Sequence, residues 1–127
     1  VAYVAAILLC ASQSNAETRV AANHEDPDAK VLEQLKKAGS NLSKPHPLEF
    51  FLYFPREQAA RKAADQLRAK RFTATVDRAA QGDSWLCFAT KTMVPELAAL
   101  QRIRADFNAV AEALGGEYDG WGTPVVK

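Results

Sequence analysis

The chain has 127 residues, 48% of them hydrophobic, and sets 16 basic against 15 acidic side chains for a net charge of +1. That length and apolar content suit one domain around a single core, and the near-balance of charge excludes a global drive toward nucleic acid or an anionic membrane. Two cysteines, Cys10 and Cys87, are too few for a disulfide framework, and His24 and His46 stand too far apart for zinc-ligand spacing, so no metal or other cofactor is expected.

Val1 to Ala11 is apolar and is followed by a small-residue site with Ser14 at −3 and Ala16 at −1. Residues 1–16 therefore read as a signal peptide, which would place the mature chain in the periplasm or outside the cell. No initiating Met and no basic residue precede the run, and without export the chain would be cytoplasmic. The run is too short to span a bilayer. Bulky Leu9 before Cys10 disfavours lipid attachment. Residues 17–26 form a polar linker, and residues 27–127 the domain.

Asp26-Pro27 opens a helix, with Asp26 as N-cap and Pro27 at the first helical position. Val31, Leu32 and Leu35 give it an apolar stripe, and Gly39 ends it. A loop follows over 40–47, then Leu48 to Phe54, a strand apolar on both faces and so central in its sheet. Pro55 starts a helix through about Lys70, with Ala60, Ala63, Ala64 and Leu67 lining one face. Its other face is basic: Arg56, Arg61, Lys62, Arg68, Lys70 and Arg71. Phe72 to Ala79 alternates, with Phe72, Ala74 and Val76 inward. Gln81-Gly82-Asp83 turns the chain into a second strand, Ser84 to Thr90. From Pro95 to Leu114, Leu97, Leu100, Ile103, Phe107, Val110 and Leu114 mark an amphipathic helix. Cys87, alone in its strand, reads as a small buried hydrophobe.

The last stretch, Gly115 to Thr123, is dense in glycine and aromatics. Gly115 and Gly116 stop the preceding helix, and Asp119-Gly120 signals a turn or bulge in a final strand. Tyr118 and Trp121 should be partly buried, each with its polar atom on a partner. A sharper reading makes Glu117, Tyr118, Asp119, Gly120, Trp121 and Gly122 a partner-binding lip, since Tyr and Trp are common interface anchors. From Leu48 onward the order is βαββαβ. The expected fold is α+β and ferredoxin-like: a four-stranded antiparallel sheet with two helices on one face, and an extra N-terminal helix at an edge.

The string Gly-Gly-Glu-Tyr-Asp-Gly-Trp-Gly-Thr over 115–123 resembles the regulator of ribonuclease E activity B (RraB) family. Leu52-Tyr53-Phe54-Pro55, the Ala-rich helix after it, Arg71-Phe72 and Trp85 fit the same pattern, and the resemblance runs from Asp28 to Val125. It implies a non-catalytic regulator that binds the endonuclease ribonuclease E, a cytoplasmic partner, and inhibits RNA cleavage. Enterobacterial members carry an acidic C-terminal tail, where this chain reads Val125-Val126-Lys127. With an export signal the domain would serve another role, as an interaction domain of the cell envelope.

The sequence also bears on two further classes of function. A single-stranded nucleic-acid module would stack bases on the sheet, with Phe51 and Tyr53 on one face of the first strand and Trp85 beside them on the third. The six basic residues belong to the helical layer instead, and the basic-Gly-aromatic string of RNA recognition motifs is missing. For an enzyme, the sequence offers no nucleophile–base pair, carboxylate pair or phosphate-cradling glycine loop. No small-molecule substrate is evident, and no stable membrane insertion is expected.

Overall fold

The computed structural model describes residues 3–5, 26–80 and 82–127. Its elements are β1 (Tyr3–Ala5), α1 (Pro27–Lys37), β2 (His46–Phe54), α2 (Glu57–Ala69), β3 (Thr73–Arg78), β4 (Trp85–Met93), α3 (Leu97–Ala113) and β5 (Glu117–Pro124). The fold is α+β. One antiparallel sheet has the order β1-β5-β2-β4-β3, so β2 and β4 lie in its interior.

Four of these strands are those expected, and β1 is an addition. Tyr3–Ala5, inside the segment read as an export signal, pairs with Gly122–Pro124 along the outer edge of β5. The rest of that segment, with Cys10, Ser14 and Ala16, lies outside the described residues, as do linker residues 17–25 with His24, and turn residue Gln81. No helix among the described residues is long and apolar enough to cross a membrane.

All three helices cover one face. In β2, Leu48, Phe50, Leu52 and Phe54 are buried beneath them, while Glu49, Phe51 and Tyr53 on the other face are only half-buried. The expectation of two equally apolar faces is corrected there: centrality in the sheet comes from strand pairing, not from cover on both sides. The small residues Ala60, Ala63 and Ala64 let α2 lie close over β3 and β4, and all three are fully buried with Leu67. Beside it, α3 crosses β5 and β2, and its Phe107 meets Phe50, Phe72 and Tyr118 edge-on at 5.0–5.6 Å between centroids. Such contacts add to burial because positive ring edges meet negative faces. Leu97, placed on the apolar face from its spacing, stands in the first turn of α3 and is 38% exposed. The third helix, α1, packs against α3 at the β1–β5 side.

Local chemistry fixes the element ends. Asp26 caps α1 as expected, its Oδ1 accepting from the N–H groups of Asp28 (2.8 Å) and Ala29 (3.1 Å). The strand β2 begins two residues before the expected Leu48, because His46 is a buried clamp. The Lys44 carbonyl, 2.8 Å from Nδ1, can only accept, so Nδ1 carries a proton; Nε2 meets Ser40 Oγ at 2.6 Å. Ser40 Oγ in turn accepts from Val126 N–H, tying the C-terminal segment to the loop. Cys87 is fully buried, and burial, opposed by the Arg68 charge, pushes its thiol up to about 11. Alkylation at pH 8, mapped by peptide mass, should modify Cys87 of the folded chain at least about a hundredfold more slowly than a free thiol. Equal rates before and after denaturation would contradict this burial.

Candidate partner-binding surface

Strand β5 carries the glycine-aromatic string, and its bulge divides the side chains between two faces. Phe51 pairs with Gly120 and Leu52 with Tyr118, so Asp119 is the extra residue, and Gly120 takes φ +111°, open to glycine. Trp121, opposite Phe50, points under the helices and is 1% exposed. Its Nε1–H donates to Asp28 Oδ1 at 3.1 Å. Asp28 also accepts from Arg104 Nε at 2.9 Å, while Asp26 accepts from Arg104 (3.2 Å) and Gln101 (2.8 Å). Burial pushes the Asp28 carboxyl above its ordinary range against the pull of Arg104. Burial also acts upward on Asp26, but the hydrogen bonds from Gln101, Ala29 and Asp28 and the charge of Arg104 together hold it below. This network joins α1, α3 and β5 at their crossing.

The six-residue lip is therefore split. Trp121 is spent on Asp28, and Tyr118 lies against Phe107 on the helix side. Gly120 and Gly122 are buried, which leaves Glu117 and Asp119 at the surface. These two carboxylates flank Tyr53 and Ser84 in a shallow cavity of about 410 Å³ at the end of the sheet. Burial, then the Glu117 charge, raises Asp119 above the ordinary carboxylate range, and burial, then Asp119, raises the Tyr53 phenol. A carboxyl raised in the folded state favours folding below its unfolded value and loses that contribution as pH rises through the folded value. Asp119→Asn should accordingly raise the thermal midpoint at pH 7, with the gain vanishing near pH 3. A gain that grows toward acid would reverse the assignment.

The six basic residues do not form one continuous face. Arg61 pairs with Glu57, and Arg68 with Asp65 while donating to the Ala74 carbonyl at 2.7 Å. Arg56 and Lys62 line a cleft with Leu114 and Gly115 at the start of α2. Lys70 and Arg71 sit at its other end, about 20 Å away for a helix of 13 residues. On the sheet face that no helix among the described residues covers, Phe51 and Phe88 meet at 5.4 Å. Trp85, expected beside them in a base-stacking platform, is not there. It pairs with Phe54, which sets it on the helix side with Arg78 over its ring at 5.2 Å.

The sequence profile of the Regulator of ribonuclease activity B (RraB) family matches residues 25–123, the span from the α1 cap to the buried Thr123. The chain belongs to the RraB family. No curated protein matches it. RraB members are regulators, which gives the chain a regulatory, protein-binding role in outline. The match encloses both partners of the Asp28–Trp121 bond, one near each of its ends.

Sequence reasoning missed Asp28 and Arg104, which orient the tryptophan of the RraB string, and the basic residues Lys91 and Arg102. An acid in the first turn of α1 reads as helix-dipole chemistry, and nothing local points to a partner 93 residues away.

Proposed function

We propose that this RraB-family chain is a non-catalytic regulator that binds ribonuclease E and restrains its cleavage of RNA, on a ferredoxin-like domain. The observation that carries the reading is the profile match over residues 25–123, which takes in α1, α2 and α3 and the strands β2 to β5 up to Thr123. The βαββαβ run with its order β5-β2-β4-β3 supports the ferredoxin-like assignment. Among the described residues no three His, Cys, Asp or Glu side chains gather as a metal site. Lys70, Lys91 and Arg102 on one side and Glu117 and Asp119 on another line shallow clefts, a surface suited to a macromolecule.

The test is direct. Purified chain should retain ribonuclease E on an affinity matrix at micromolar concentration and slow its cleavage of a defined RNA. Absence of association, with an unchanged cleavage rate, overturns the proposal. An export signal in residues 1–16 would remove the chain from that partner, and N-terminal sequencing of the cellular protein separates the cases. A first residue of Glu17 favours an envelope role.

A further inference from the structure

Between the end of α2 and the flank of α3 lies a groove of about 490 Å³ that neither the family string nor the lip uses. Its floor is Phe72, Met93 and Ile103, and its rim carries Lys70, Lys91 and Arg102 against a single acid, Asp106. Next to Lys70, Arg71 follows α2 in the left-handed region at φ +74°, where the Phe72 N–H returns to the Leu67 carbonyl. Glycine is the usual residue there, because an arginine Cβ crowds the following carbonyl and strains the backbone. Strain of that kind concentrates at functional positions.

One edge of the groove is unfinished sheet. The β3 ladder stops at Thr90, but β4 continues against β2 through Met93. Thr123 Oγ1 donates to the Pro47 carbonyl from the β5 side, so Pro47 faces away from β4, and Pro has no N–H to offer. Its register partner Thr92 then turns its own N–H and carbonyl outward, past the start of β3. An extended chain could pair there while laying alternate side chains on the floor and rim.

We infer that this groove docks an extended protein segment carrying acidic side chains among apolar ones. The inference rests on the protein-binding reading above and names the surface that reading would use. Three cations against one acid select for negative charge. Nucleic acid fits less well, because the rings cannot stack bases. Phe107 is fully buried, and Phe72 is 8% exposed with Lys91 Nζ over its face at 4.7 Å.

The experiment uses the full chain and a fluorescein-labelled peptide of alternating valine and glutamate, read by anisotropy, with a valine–lysine peptide as control. The acidic peptide should bind, weaken as salt rises, and lose at least about tenfold in affinity with Lys70→Glu/Arg102→Glu. The neutral pair Lys70→Gln/Arg102→Gln should give a smaller loss. No binding, equal binding of the lysine peptide, or affinity unchanged by charge reversal overturns the groove. Displacement by single-stranded RNA at equal concentration also overturns it, in favour of a nucleic-acid site. The same variants are then tested on ribonuclease E: no retention of the wild-type chain rejects that partner, whereas equal retention of wild type and variant rejects only the groove.

Discussion

Replacing Trp121 by alanine is expected to cost about 4 kcal/mol, enough to leave a domain of this size near or beyond its unfolding threshold at room temperature. The indole is 1% exposed and packs in the same core as Phe50. Its removal opens a cavity and strips Asp28 of its hydrogen bond on Oδ1. Trp121→Phe separates the two effects, since it keeps most of the volume and loses the N–H, at roughly 2 kcal/mol. That loss has a pH signature. Burial already holds the Asp28 carboxyl high, and without the indole donor it rises further. A carboxyl with a raised folded value favours folding at low pH and loses that contribution as pH rises through the folded value. The phenylalanine variant should therefore lag the wild type most at neutral pH, and the gap should narrow below about pH 4. Urea denaturation at both pH values measures it; a gap that widens in acid would remove Asp28 from the explanation.

Gly116→Ala is expected to cost about 3 kcal/mol or more, while Gly115→Ala costs only about 1 kcal/mol. Both glycines read alike in the sequence, as helix stops, but they work differently. Gly115 takes φ +78° with open space around it, so a methyl group there meets only backbone strain. Gly116 is not in the left-handed region. It lies just ahead of β5, against the end of β2, and a Cβ would run into the Tyr53 carbonyl and the Phe54 ring, backbone and core atoms that cannot yield cheaply. Side-by-side denaturation of the two variants decides between these roles. Equal costs would mean that helix termination is all either residue does.

What could be read in advance follows from how local each feature is. The Asp26-Pro27 cap, the alternation of Phe72, Ala74 and Val76, and the Asp119-Gly120 bulge are written in adjacent residues, and each stands where its chemistry put it. The face of Trp85 was not legible, because Trp85-Leu86-Cys87-Phe88-Ala89 is apolar at every position and carries no alternation to read. Only the pairing of Trp85 with Phe54 assigns it. Likewise β2 starts at His46 because a lysine carbonyl and a serine, itself held by Val126 N–H, fix that imidazole, while Pro45 and Pro47 imitate a loop. Counting cations along α2 gave a basic face, yet two of its arginines are neutralised by neighbours three and four residues away.

The position of β5 constrains how the protein can be made. Strand β5, the last of the described strands in sequence, is not the outermost; it slots in beside β2, and its tryptophan seals helices translated long before. A nascent chain halted after α3 lacks both the wedge and the acceptor's partner, so one edge of β2 and the inner side of α1 must wait exposed on the ribosome until β5 clears the exit tunnel. Maturation is thereby all-or-none, and a chain cut short just before Glu117 should be degraded instead of accumulating as a smaller, working product.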